Sequence, residues 1–284
     1  MSNVRLSAFA DEASPFISGQ IEALKRNGIS LLEIRGVDNV NISKISAEKA
    51  REIRKQLDDG GISVRSMGSP IGKVALDGDF DEHIEKFKRI LEYADILGAS
   101  RIRLFSFFPA EGEDRKASLE KVIERLDRFC ELTPDHIILC HENEKNIFGE
   151  NTESCLAIHK ALPKIKAVFD PANFIQCGVN TLEAWSVLRD YVDYIHIKDA
   201  LADGTVVPAG EGLGNIPCIL TDYVSRGGSV MTLEPHLKVF SGLSELENGE
   251  SVKTGVKVYA SNDEAFDAAC SALNSILKRI GEKS

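Results

Sequence analysis

Eight short runs rich in β-branched and aliphatic residues recur along this chain, each followed by a stretch with helical spacing, and few folds accept that alternation. The runs are VRLSAFA (4–10), SLLEIRG (30–36), ISVRSMG (62–68), SRIRLFSF (100–107), HIILCHE (136–142), KAVFDPA (166–172), DYIHIKD (193–199) and SVMTLEP (229–235). Most are short apolar runs, as parallel strands covered by helices require. The segments between them carry helix signals. Ser14-Pro15 reads as a cap followed by proline in a first turn. Ser46 opens AEKAREIRKQLDDGG, with Ala50, Ile53 and Leu57 at helical spacing and Gly60-Gly61 to stop it. Similar patterns follow each later strand, ending in a helix near 262–280.

Eight strands alternating with eight helices predict an α/β chain folded as a (β/α)8 TIM barrel. An open doubly wound sheet is the competing architecture, but no GxGxxG follows the first strand. A chain of 284 residues fits one barrel or two ordinary domains, and no Pro/Gly/Ser-rich linker divides it, so a single domain over 1–284 is expected. One segment breaks the rhythm: the loop at about 237–261, between LEPH and the last helix, is long for a βα connection.

A net charge of −10 leaves few cations for a phosphate backbone, so nucleic acid is not an expected partner. No apolar run reaches the length of a membrane span, and the N-terminus does not read as a signal peptide. The six cysteines form no CxxC pair, which argues against a disulfide framework or a thiolate metal site and suits a reducing cytoplasm. Nothing in the chain opposes a homo-oligomer.

In such a barrel the chemistry lies at the C-terminal ends of the strands. The fifth expected strand ends in Cys140-His141-Glu142, the sixth in Phe169-Asp170, the seventh carries His196-Ile197-Lys198-Asp199, and the eighth ends in Leu233-Glu234. A lone strand-end carboxylate is usually a cap or a surface partner, and a lone histidine is often a satisfied core residue. Four such residues on consecutive strands favour a metal centre held by Glu142, Asp170, His196 and Glu234. Three carboxylates and one imidazole suit one divalent ion, with Mn²⁺, Mg²⁺ or Co²⁺ favoured and Zn²⁺ possible. Asn173, Lys198, Glu211 and Glu33 are candidate substrate contacts, although Glu33 can also pair with Arg35 or Arg65, Lys198 can be a solvated charge and Asp199 a helix cap. Period two turns His141 away from the barrel axis if Glu142 faces it. The glycines of PAGEGLGNIP (208–217) allow close backbone approach to a ligand.

HENE (141–144), FDPAN (169–173), HIKDA (196–200), PAGEG (208–212) and LEPH (233–236) occur in this order. Together they resemble the sugar phosphate isomerase/epimerase family of xylose isomerase-like TIM barrels. That family includes inosose dehydratases, ketose 3-epimerases and hexulose-phosphate epimerases, with endonuclease IV as a distant relation. The resemblance covers nearly the whole chain and is specific for superfamily and metal site, not for substrate. It implies that Glu142, Asp170, His196 and Glu234 are metal ligands, and that Glu142 and Glu234 also face the reacting carbon. Asn173 stands where several members carry His, and no Arg follows the His196 strand before Arg226, which departs from the free-ketose epimerases.

The expectation is an isomerase or epimerase that moves a proton α to a carbonyl of a small polyhydroxylated substrate, through an enediolate. An inosose-type dehydratase could use the same site. A metal-dependent phosphodiesterase would need further His ligands on the early strands and a basic groove. A non-catalytic sugar-binding barrel would not need two carboxylates beside a metal.

Overall fold

The computed structural model describes residues 4–110, 112–243, 253–255 and 257–282. Eight parallel strands close into a barrel: β1 (Arg5–Ala8), β2 (Leu31–Ile34), β3 (Ser63–Gly68), β4 (Arg101–Leu104), β5 (Ile138–Glu142), β6 (Lys166–Phe169), β7 (Val192–Ile197) and β8 (Val230–Leu233). Closure is direct, with Arg5 opposite Val230 and Ala8 opposite Leu233. The expected strands were drawn two or three residues too long at several ends. As a result Asp170, Lys198 and Glu234 lie just past the ladder, where the chain is free to turn over the mouth.

The helices form the outer layer: α1 (Ile17–Arg26), α2 (Ala47–Gly60), α3 (Phe80–Leu97), α4 (Arg115–Leu132), α5 (Thr152–Ala161), α6 (Pro171–Gln176), α7 (Thr181–Leu188), α8 (Ile216–Ser225) and α9 (Asn262–Gly281). α2 shows why local sequence sufficed. The Ser46 side chain accepts from Lys49 N, Ala50, Ile53 and Leu57 are buried, and Gly61 ends the helix at φ 71°. Such a left-handed cap strains any residue with a Cβ. The start of α1 is a correction. Ser14 Oγ accepts from Phe16 N, but the helix begins only at Ile17. Pro15 is not in its first turn, because its carbonyl is engaged by Asp38 N at 2.6 Å. α6 was not expected; Asp170 caps it by accepting from Asn173 N.

Two short antiparallel ribbons stand on the mouth, Gly36–Val37 with Val40–Asn41 and Asp199–Ala200 with Val206–Val207. Of the long loop at 237–261, residues 244–252 and 256 lie outside the described residues. All six cysteines are free thiols. No described helix is long and apolar enough to cross a membrane.

Candidate metal centre at the barrel mouth

Strand alternation decides which side chains converge. On β5, Glu142 turns inward, while His141 turns outward and packs edge-on against His159 of α5 at 5.6 Å between ring centroids. On β7, Tyr194 and His196 follow the inward period, and Lys198 continues it past the strand end. His196 lies opposite Thr232 in the ladder, so Glu234 sits one inward step above it on the neighbouring strand. Asn143 holds Asp170 beside Glu142, accepting from Asp170 N and donating to Asp170 O, both at 2.9 Å.

Glu142, Asp170, His196 and Glu234 each offer one ligand atom, all within 4.8 Å of one another, and all four residues are buried. Donors on opposite sides of an ion lie about 4.0–4.6 Å apart if each binds at roughly 2.0–2.3 Å, so the spread suits a single divalent ion. The carboxylate of Asp170 divides its labour: Oδ1 caps α6, while Oδ2 is buried without a hydrogen bond. A buried oxygen in that state is costly unless a cation meets it, and Lys198 Nζ stands 3.0 Å away. By spacing and donor chemistry these four residues could hold one divalent ion.

Cations of the protein stand close to these oxygens. Lys198 Nζ is 3.0 Å from Asp170 Oδ2 and 3.2 Å from Glu234 Oε2. His196 Nδ1 is 2.9 Å from Glu142 Oε1 and 3.4 Å from Glu234 Oε2. Burial opposes a charge on His196, yet Glu142 and Glu33 outweigh it and lift the imidazole well above its ordinary range. Burial likewise opposes the Lys198 ammonium, and Asp170 and Glu234 hold it protonated. Burial pushes Asp170 up to about 7 against the pull of Lys198. Burial acts on Glu234 too, but Lys198, His236 and His196 keep it well below the usual carboxylate range.

Each candidate substrate contact has a definite place. Glu33 lies beneath His196, fully buried, taking Tyr194 OH at 2.8 Å and facing His196 Nε2 at 3.3 Å. Arg35 and Arg65 pair with other carboxylates, and the contact of Glu33 with Nε2 leaves His196 Nδ1 toward the candidate ligand cluster. Asn173 is buried and donates to Glu142 Oε1 at 3.3 Å and to Asn143 O at 2.9 Å. Lys198 is a buried partner of two carboxylates, not a solvated charge. Glu211 is exposed on its loop.

Asp199 is not a helix cap. Its carboxylate accepts from the backbone N–H of Ala200, Gly210, Gly212 and Gly214 at 2.8–3.1 Å. The glycines of PAGEGLGNIP thus turn toward an internal carboxylate. A Cβ on Gly212 would meet Asp199 Oδ1 at 2.4 Å, and one on Gly214 would meet it at 2.7 Å.

Sequence reasoning missed Arg35. Its guanidinium is buried and hydrogen-bonds Asp11, Glu12 and Glu234, with Glu234 Oε1 at 2.9 Å. Phe9 packs on its face at 4.2 Å. Arg65 instead pairs with Asp193 at the other end of the barrel. The available signal for Arg35 was the period of two from Glu33. Glu12, Glu234 and His236 form a second ligand-like group, but the Arg35 guanidinium already lies between Glu12 and Glu234.

The family model described as xylose isomerase-like TIM barrel matches residues 21–236. No protein of curated function matches the sequence. Among solved structures, a D-tagatose 3-epimerase-like protein superposes with a TM-score of 0.75 at 15% identity, over 99% of each chain. The probable 3-DHS dehydratase involved in petrobactin synthesis from Bacillus anthracis superposes at 0.73 and 17% identity, over 95% of this chain and 99% of that one. The IOLI protein, solved with a zinc atom, gives 0.73 at 14% identity, over 98% of this chain and 99% of its own. At these identities the likeness speaks for the fold.

Proposed function

The chain belongs to the xylose isomerase-like TIM barrel family, and we propose that it is a divalent-metal-dependent isomerase or epimerase of a small polyhydroxylated carbonyl compound. The observation that carries this reading is the convergence of Glu142, Asp170, His196 and Glu234 ligand atoms within 4.8 Å at the mouth. A bound divalent ion would supply Lewis-acid polarisation of the substrate carbonyl, which acidifies the α C–H.

The chain's own residues supply the proton transfer. Burial disfavours the Glu234 carboxylate, but Lys198 and His196 beside it keep it ionised, the form a base requires. Glu142 stands three strands away around the barrel, with β6 and β7 between, and is oriented by Asn173 and His196. One carboxylate removes the α proton, and the other returns one to the opposite face of the enediolate, inverting the centre. Arg35 fixes Glu234 through Oε1, while Oε2 faces Lys198 and His196 on the side of the candidate ligand cluster. The burial of all these groups strengthens each charge interaction relative to water.

Lys198 favours a second reading. An ammonium held beside Asp170 and Glu234 could protonate a departing β-hydroxyl, which would make the reaction a dehydration. One experiment separates the two. The protein is loaded in turn with Mn²⁺, Mg²⁺, Co²⁺ and Zn²⁺ and incubated in D₂O with ketoses, ketose phosphates and inososes. Metal-dependent deuterium at an α carbon with the mass otherwise unchanged supports the isomerase reading, and loss of water supports the dehydratase. No exchange with any metal across the panel counts against both.

A further inference from the structure

The charges buried at the mouth limit what it can receive. Among the described residues three Lys and Arg side chains are buried there, Arg35, Arg103 and Lys198, beside six carboxylates: Asp11, Glu12, Glu33, Glu142, Asp170 and Glu234. A seventh, Asp199, is answered by backbone N–H groups. Each cation is already engaged. Arg35 meets Asp11, Glu12 and Glu234 at 2.9–3.1 Å, Lys198 meets Asp170 and Glu234 at 3.0 and 3.2 Å, and Arg103 meets Glu142 at 3.2 Å. At the rim Lys73 pairs with Glu144 at 3.0 Å. A divalent ion on the candidate ligands would add two positive charges, too few to give three cations a surplus over six carboxylates. An anionic substrate would have to take its partners from these carboxylates, and like charges brought together in a buried site repel strongly.

Beside this network lies a cavity of about 240 Å³, between the Gly36–Asn41 ribbon and the loop after β8. Its polar and aromatic walls are Asp11, Arg35, Asn39, Asn41, Phe240 and Ser241. The two charged groups, Asp11 and Arg35, pair with each other at 3.0 Å, and the rest of the lining is uncharged. Asn39 Oδ1 accepts from Ser241 Oγ at 2.7 Å, and Asn41 Oδ1 accepts from Ser43 Oγ at 2.8 Å. Both amide oxygens are thus committed, and among the described residues neither amide nitrogen donates to another group. Arg35 ties the cavity to the candidate ligands, because it lines the wall and donates to Glu234 Oε1 at 2.9 Å. A small concave site with an aromatic ring and a few neutral donors is the chemistry that holds a hydroxylated carbon chain.

We propose that the substrate is an uncharged polyol bearing the reacting carbonyl, not a phosphate ester or a carboxylate, and that its hydroxylated end enters this cavity. Hydroxyl oxygens accept from the Asn39 and Asn41 amides, hydroxyl hydrogens donate to the Asp11 carboxylate, and the C–H groups pack on Phe240. None of these contacts disturbs the ion pairs that hold Glu234, whereas an anion would compete for Arg35 or Lys198. The inference rests on the isomerase or epimerase reading for the reacting end of the molecule; the charge preference and the role of the cavity are properties of binding and need no turnover.

The test is saturation-transfer NMR on the whole protein in buffer containing Mg²⁺. The probes are D-fructose, D-ribulose and myo-inositol, each against its monophosphate, and D-glucitol against D-gluconate. At least one uncharged probe should bind saturably, and its charged partner at least about tenfold more weakly. Asn41→Asp keeps the acceptor that Ser43 uses but removes the amide N–H groups, and Phe240→Leu removes the ring. Each should weaken the uncharged probe by about three- to tenfold, the worth of one hydrogen bond or one aromatic contact. Melting curves verify folding, and Asn41→Asp carries the test if Phe240→Leu is unstable. The proposal is overturned if no uncharged probe binds, if a charged probe binds as tightly as its uncharged partner, or if the folded variants bind as wild type does. Metal-dependent deuterium exchange is scored separately. Binding of an uncharged probe with no exchange on any substrate would sink the enolising reading alone, and exchange that prefers a phosphate ester would sink this inference alone.

Discussion

Glu33→Gln is the sharpest probe of how the imidazole is held. Glu33 is fully buried, with Oε2 at 3.3 Å from His196 Nε2 and Oε1 at 2.8 Å from Tyr194 OH. Glutamine has nearly the same shape. Its carbonyl can face the imidazole N–H, and its amide can donate to Tyr194 OH or Ser66 Oγ, two hydroxyls that lie 3.2 Å apart and can each accept. The variant therefore loses a charge without leaving a buried polar group unpaired, and it should fold. Replacing such an orienting carboxylate typically weakens metal binding by about 10–100-fold, or roughly 1.4–2.7 kcal/mol. Calorimetry with Mn²⁺ in buffers of different ionisation enthalpy reads both the affinity and the protons released. In wild type, His196 is held as a cation by Glu142 and Glu33, so metal binding should expel its proton. Without the Glu33 charge that proton is held less tightly, and fewer should be released near neutral pH. Unchanged affinity together with unchanged proton release would refute the orienting role.

Asp170→Asn and His196→Ala should each strip most of the metal from the purified protein, read by elemental analysis; full occupancy in either would remove that residue from the ligand set. Gly212→Ala forces a Cβ to within 2.4 Å of both Ala200 O and Asp199 Oδ1. Urea unfolding should show a loss of at least about 1 kcal/mol, and a neutral result would mean the loop yields freely. His83 accepts from Gly72 N, and burial pushes its imidazole down to about 4. Its folded value lies below its unfolded one, so the stability tied to neutral His83 is complete above about 6.5 and is lost as pH falls toward 4. His83→Gln should thus flatten the decline in unfolding free energy between pH 7 and 5, and an unchanged slope would contradict this.

The candidate ligand set was legible because parallel strands deliver their C-terminal ends to one mouth, so strand order translated directly into proximity. Depth was not legible. Glu33 was read as a mouth residue, but the register shift between Leu32 and Glu33 and the Tyr194 hydroxyl place it one layer down. Asp170 was weighed as either cap or ligand, and one residue offers an oxygen to each role. The Arg35 network joins Glu234 to a residue 199 positions away, a pairing no local pattern encodes. Asp199 was equally hidden, since its partners are backbone N–H groups of a glycine loop that composition marks only as flexible.

Glu142 and Glu234 are proposed to transfer protons beside a bound metal, and Glu→Gln at each position tests that role most directly. Glutamine keeps the length and one oxygen donor but cannot take a proton. Metal content and the rate of α-deuterium incorporation in D₂O are measured on the same metal-loaded samples, with the substrate identified in the panel. Both variants should retain substantial metal, while exchange falls by about 10²–10⁴-fold, the usual worth of a positioned acid or base. A variant that keeps its metal and exchanges at the wild-type rate would contradict it and pass the role to another group, Lys198 first.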